Sequence, residues 1–449
     1  MEKSLDRKLA AIHANPSCRE FIIADAKDAD MALGLGAPGA SPEMHAGEVR
    51  FKTLEEYRDQ MRLITRSGLV DIMLMSASSN HALTFRERLF DDSPVTPAVR
   101  ANDTTDIHLA RGASYATEPS RPFRTASIDH IQCGHLECAP HERTTGANLG
   151  LYSVTFNNNL DRDLATLQRF HEFREEAERK GFRYFLEVFD PNIPGAVAPE
   201  TLPSYINDMI TRMLAGVGPT GRPVFLKMVY HGPKAMEELV RFDPHLVVGI
   251  LGGSAGTTRD AFQLLHDAQK YGAKVALFGR KINNAENQLA FVHFLRLIVE
   301  GKVGPVEAVK AYHAVLGRLG LRPARTLEDD LRLTDQSMSY AGTPASSSAP
   351  KNQSSAVVAA PTPSLSTAIA NNGSGHCQCH APAPVSKEPA GRCGCHGSSV
   401  VTESIPSVSR YNHIVSNGHS SASNGRPDFA RMNPAERLAY HRERLGLGR

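Results

Sequence analysis

Over its first 335 residues the chain alternates short apolar runs with segments of helical periodicity. Eight runs stand out: "FIIADA", "VDIMLMS", "VTPAVRA", "LGLYSVTF", "RYFLEVFD", "PVFLKMVY", "LVVGILGG" and "VALFGR". Most are apolar throughout instead of alternating, which is how strands read when both of their faces are covered. Between them, "TLEEYRDQMRLITRSG", "DRDLATLQRFHEFREEAERKG", "PKAMEELVRFD" and "TRDAFQLLHDAQKYG" read as helices, several of them closing on a glycine. Eight strand–helix units in about 300 residues have the size and rhythm of a (β/α)8 TIM barrel. A doubly wound open sheet shares the alternation. It usually carries a Gly-rich dinucleotide turn after its first strand, and "FIIADAKDADMALG" is not one.

Two segments break the rhythm. The connection after the third strand, residues 100–147, is far longer than an ordinary loop and is expected to lie on the C-terminal face of the barrel as a lid or small subdomain. From residue 336 the composition turns to Ser, Ala, Pro and Gly, too poor in large apolar residues to offset the entropy of ordering. The domains are therefore expected as a barrel over 1–335, a disordered low-complexity linker over 336–430 and a short helix over 431–449, "MNPAERLAYHRERLGLGR" at its core.

Composition narrows the class. The 449 residues are 41% hydrophobic with a net charge of +2, and both signs are interspersed, so no nucleic-acid surface is expected. With no signal-like h-region and no apolar stretch of membrane-spanning length, a soluble cytoplasmic protein is expected, without a membrane partner. Seven cysteines, an odd number, form no disulfide framework.

One strand carries a charge. In "VFLKMVYHGP", Lys227 stands inside an apolar run at the C-terminal end of the sixth strand, where barrel enzymes keep their catalytic groups. Desolvation there favours a neutral amine able to attack a carbonyl. The other reading is a lysine that reaches solvent or pairs with Glu187. The seventh strand ends in Gly252, Gly253 and Ser254 ahead of a helix, and the eighth in Gly279 and Arg280. Backbone N–H groups, a helix N-terminus and a guanidinium at these two strand ends suggest a phosphate site.

These residues carry a resemblance. The stretch "FLKMVYHGPKAMEELV" with "VVGILGGSAGTTRDAFQLLHDAQKYGAKVALFGRKI" resembles the second half of the archaeal-type class I fructose-bisphosphate aldolases and their relatives, within the Schiff-base superfamily of TIM barrels. The resemblance implies an imine on Lys227, a following Tyr230, a Gly-Gly turn at Gly252 and Gly253, and the Gly279-Arg280-Lys281 segment. It places the family's first-strand aspartate at Asp25, although Ala26-Lys27 stand where the family has His-Gly. The family's strand-five tyrosine, its general acid, is replaced by Phe189. Glu187, two residues earlier on the same strand face, is the substitute proton carrier.

The expectation is thus an aldolase-like lyase acting on a small phosphorylated keto or aldehyde compound through Lys227, with Asp25 and Glu187 handling protons, no cofactor for catalysis, and homo-oligomers as in relatives. The alternative is a non-catalytic sugar-phosphate or metal-responsive binding protein on the same barrel.

Two clusters suggest metal. In the insertion, "HIQCGHLECAPH" gathers His130, Cys133, His135, Cys138 and His141, a density suited to zinc but with spacings of no standard module, so a loop without metal is the preferred reading. In the tail, Cys377, Cys379 and His380 with Cys393, Cys395 and His396 form two Cys-x-Cys-His units suited to Zn or Cu(I), or else an exposed thiol segment.

Overall fold

Eight strands, Ile22–Lys27 (β1), Ile72–Met75 (β2), Thr96–Arg100 (β3), Leu149–Thr155 (β4), Arg183–Phe189 (β5), Leu226–Met228 (β6), Gly249–Leu251 (β7) and Val275–Phe278 (β8), pair in parallel and close into a barrel. Seven of the eight apolar runs contain one of them whole, and "FIIADA" covers all of β1 but Lys27. The structure, a computed structural model, describes residues 1–45, 48–108, 110, 112–253 and 256–335. The linker and terminal helix expected beyond 335 lie outside the described residues.

Period-two alternation sorts each strand into two faces. Ile22, Ala24, Leu74, Leu151, Phe185 and Phe225 point into the lumen and pack with one another. Ile23, Met73, Tyr152, Leu186 and Leu226 point outward under the helices. The helix Ser4–Ala14 plugs the N-terminal end of the barrel, with Leu5, Leu9 and Ile12 joining the lumen cluster. Asp71 holds the plug in place. Its carboxylate accepts from the Ser4 hydroxyl at 2.7 Å, from Lys8 at 2.9 Å and from Arg296 at 2.9 Å, and it also takes the Ile23 N–H at 2.9 Å. Burial pushes that carboxyl up, but Arg296 and Lys8 more than offset it and hold Asp71 below the usual carboxylate range.

The outer helices start and stop where the sequence provides caps. Thr53 and Glu56 form a capping box on Leu54–Ser67, which ends at Gly68 in the left-handed region with φ 66°. Among the described residues, no helix is long and apolar enough to cross a membrane.

The insertion has two halves with different destinations. Asp103–Thr104 pairs with Pro122–Phe123 in a small hairpin, and this half stays at the C-terminal mouth: Asp106 accepts from Ser120 at 2.6 Å and from Thr155 at the end of β4 at 3.2 Å. The second half runs down the outside of the barrel. Ile128 and Ile131 are fully buried in the outer core, and Gln132 donates to Asn148, just ahead of β4, at 2.8 Å. Only residues up to about 123 therefore cover the mouth; the expectation that the whole insertion does so is corrected. The short helix Ile128–Gln132 occupies the place of the long helix that would otherwise follow β3.

Candidate active site

The lumen is apolar at its plugged end and charged at its open end. Moving two residues up each strand from the apolar layer brings in Arg100 on β3, Ser153 on β4, Glu187 on β5 and Lys227 on β6, with Asp28 just past β1. Lys227 and Glu187 are direct register partners, and their side chains form an ion pair at 2.5 Å with 8% and 2% of their surface exposed. The other Glu187 oxygen accepts from the Ser153 hydroxyl at 2.6 Å and lies 3.5 Å from Arg100. Arg100 donates to Asp28 at 2.5 Å and to Ser153 at 3.1 Å. Asn102 locks Ser153 in place by donating to its carbonyl at 2.8 Å and accepting from its N–H at 2.6 Å.

Of the two readings of Lys227, the structure contains the pair with Glu187. The lysine is buried but not alone, since the Glu187 carboxylate faces it as a counter-ion. Around it, Arg100 is raised still further above its ordinary range. Burial works against that, but Asp28, Glu187 and Asp103 prevail.

Asp25 does not reach this cluster. It shares the outward face of β1 with Ile23, in register with Met73 and Phe278, and both of its oxygens accept from Lys27 at 2.9 and 2.7 Å in a pair with no exposed surface. Burial pushes the Asp25 carboxyl up and the Lys27 amine down. The lumen acid of this strand is Asp28, three residues on and facing the other way. The resemblance placed the aspartate in the wrong register because every residue of β1 is buried on whichever face it lies, so alternation gave no warning.

The residues expected to hold phosphate divide. A Cβ on Gly252 would lie 2.1 Å from the Phe278 ring, and one on Gly279 would lie 2.9 Å from the Ala26 carbonyl, so both glycines are required by strand packing. Gly253 has φ 60° and open space around it. Ser254 lies outside the described residues. Arg280 is exposed and its side chain makes no ion pair or hydrogen bond with any described residue; partial desolvation lowers its pKa, against the pull of Glu187. The helix N-terminus after β7 is not free. In the helix Thr258–Lys270 the Thr258 N–H donates to Asp330 at 2.7 Å and the Thr257 N–H to Asp260 at 2.8 Å. Asp260 also accepts from the Thr334 N–H at 2.7 Å. Two carboxylates thus fill the anion seat, and the expectation that this terminus binds phosphate is corrected. Gly252→Ala is expected to cost about 1–3 kcal/mol of stability by overpacking against Phe278, read from the midpoint of urea unfolding.

Several polar residues of the mouth were not among the expectations: Arg100, Asp28, Ser153, and the pair His231 and Asp190 at 2.9 Å, where the His231 side chain is 1% exposed. Arg100 gave the same signal as Lys227, a cation inside an apolar run. Asp103 adds a pH-sensitive element. Burial raises its carboxyl to about 6, against the pull of Arg100, and one of its oxygens has no partner. Because the folded value lies above the ordinary 3.8, this group's contribution is fully present below about pH 4 and is lost as pH rises through about 6. Asp103→Asn is expected to remove that slope, so that between pH 4 and 7 the variant gains on the parent by on the order of 2 kcal/mol in denaturant unfolding.

Known proteins were compared with this architecture. No family model matches the chain, and no curated protein does. Among solved structures, an archaeal fructose 1,6-bisphosphate aldolase is similar over 66% of this chain and 100% of its own, with 15% identity and a TM-score of 0.46. A fructose-bisphosphate aldolase from Slackia heliotrinireducens covers 68% and 89%, with 13% identity and a TM-score of 0.48. An N-acetylneuraminate lyase from Fusobacterium nucleatum covers 67% and 82%, with 11% identity and a TM-score of 0.35. The likeness is one of fold. The barrel itself stands on this chain's own strand pairing.

Proposed function

We propose that the chain is a carbon–carbon lyase of the class I aldolase type, acting on a small phosphorylated keto or aldehyde compound through an imine on Lys227. What supports this reading is the place of Lys227: it is buried on the lumen face of β6 at the open end of the barrel, in a polar cluster with Glu187, Ser153 and Arg100. An ion pair with Glu187 still leaves a carboxylate beside the amine for proton transfer. Glu187 takes the ammonium proton, and the freed amine adds to the substrate carbonyl carbon to give a carbinolamine. Water leaves with a proton returned from Glu187, which generates the protonated imine. That C=N⁺ accepts the electron pair of the breaking C–C bond, while Asp28 or Glu187 takes the proton of the hydroxyl on the departing carbon. Arg100 and Ser153 hold the acid–base pair in position. Phe189 supplies no phenol, so proton transfer rests on carboxylates. The exposed Arg280 is the group suited to the substrate phosphate.

Incubation with keto-phosphates and borohydride should fix an adduct on the peptide containing Lys227, read by mass spectrometry. The second reading, a non-catalytic sugar-phosphate-binding barrel, draws on Phe189 and on the number of bonds that tie down Glu187. Calorimetric binding that Arg280→Ala weakens, with no adduct and no turnover, would establish it in place of the first.

A further inference from the structure

The second half of the insertion folds into a turn that brings sulfur and oxygen donors together. Cys133 Sγ, Cys138 Sγ and a Glu142 carboxylate oxygen all lie within 4.8 Å of one another. The turn is built to hold them. Asp129 accepts from the Glu137 N–H at 3.2 Å and is itself anchored by Lys180 at 2.9 Å, while Glu137 takes a positive φ of 58° to complete the knuckle. One Glu142 oxygen accepts from the Ala139 N–H at 2.9 Å, which leaves the other to face His135.

The imidazole supplies an independent observation. His135 Nδ1 lies 2.8 Å from the Leu136 carbonyl, an oxygen that can only accept, so Nδ1 carries the hydrogen. In the neutral ring Nε2 then presents a lone pair to the Glu142 oxygen 3.3 Å away. Two lone pairs facing each other at that distance call for a positive centre, either a proton on the ring or a metal ion.

We propose that Cys133, Cys138, Glu142 and His135 form a structural zinc site that staples the insertion where it runs along the outside of the barrel. Two thiolates, a carboxylate and an imidazole are a tetrahedral Zn²⁺ set, with bonds of about 2.3 Å to sulfur and 2.0–2.2 Å to nitrogen and oxygen. Those lengths put ligand atoms at most ~3.8 Å apart, so the three clustered atoms need close by only about 1 Å. His135, with 55% of its side chain exposed, has room to turn in and complete the shell.

The test uses the full chain. Alkylation of each cysteine is mapped by mass spectrometry with and without Zn²⁺, so that the tail cysteines report separately from Cys133 and Cys138. Zinc is expected to protect Cys133 and Cys138 together, and Co²⁺ to give a thiolate-to-metal charge-transfer band in a variant with Cys377, Cys379, Cys393 and Cys395 changed to Ser. In that background Cys138→Ser should abolish the band, and Glu142→Gln should weaken Co²⁺ binding by about 10- to 100-fold. Unprotected Cys133 and Cys138 at saturating Zn²⁺, or a Cys133–Cys138 disulfide in the purified protein, would overturn the site. Unchanged affinity in Glu142→Gln would overturn the ligand set.

Discussion

Lys227→Met is expected to abolish the borohydride-trapped adduct and to lower turnover of any aldol substrate by at least about 10³-fold, equivalent to ~4 kcal/mol of barrier. The methionine fills similar volume but has no amine to form an imine, and it leaves Glu187 with Ser153 and Arg100 as partners. Lys227→Arg separates charge from nucleophile. Arginine restores a cation opposite Glu187, yet its guanidinium does not form an imine under these conditions. If Lys227→Arg retains stability but neither labels nor turns over, the lysine acts as nucleophile. An adduct that persists in both variants, on Lys281 for instance, would refute the assignment.

Arg100→Met is expected to have the largest effect on stability, about 3–5 kcal/mol, because it strands buried acids. Arg100 lies 2.5 Å from Asp28, 3.5 Å from Glu187 and 3.8 Å from Asp103, with only 6% of its side chain exposed. Without it Lys227 is the remaining cation bonded to the group, and it reaches Glu187 alone. The loss, measured by denaturant unfolding, should shrink on acidification as the stranded carboxyls take up protons. A variant as stable as the parent at pH 7 would show that water or rearrangement replaces the guanidinium, and that the network is not a unit.

The fold was legible because strands covered on both faces leave uninterrupted apolar runs, and the caps at Thr53 and Gly68 mark helix ends as general rules require. The site was legible only where a charge interrupted such a run in the right strand, as at Lys227. The same property that revealed β1 hid which face Asp25 occupies, since Ile22, Ile23, Ala24 and Ala26 are all buried, inside or out. Arg100 was open to the argument made for Lys227 but was read only as part of its strand. The course of the insertion depended on bonds such as Gln132 to Asn148 that no local pattern encodes. The donor cluster near Cys133 was sought among histidines and cysteines, so Glu142, which lies four residues past Cys138, was missed.

The plug at the N-terminal end of the barrel has a consequence for the order of events during synthesis. Ser4–Ala14 is synthesised before the elements it packs against, since its seat needs Val275 and Leu277 of the last strand and its Asp71 clamp needs Arg296. Until the chain has been made as far as Arg296, the seat for Leu5, Leu9 and Ile12 is incomplete. The nascent chain therefore carries an exposed apolar helix while the intervening strands are made, a surface for chaperones to hold, and ring closure and plug insertion fall together once the last strand is in place.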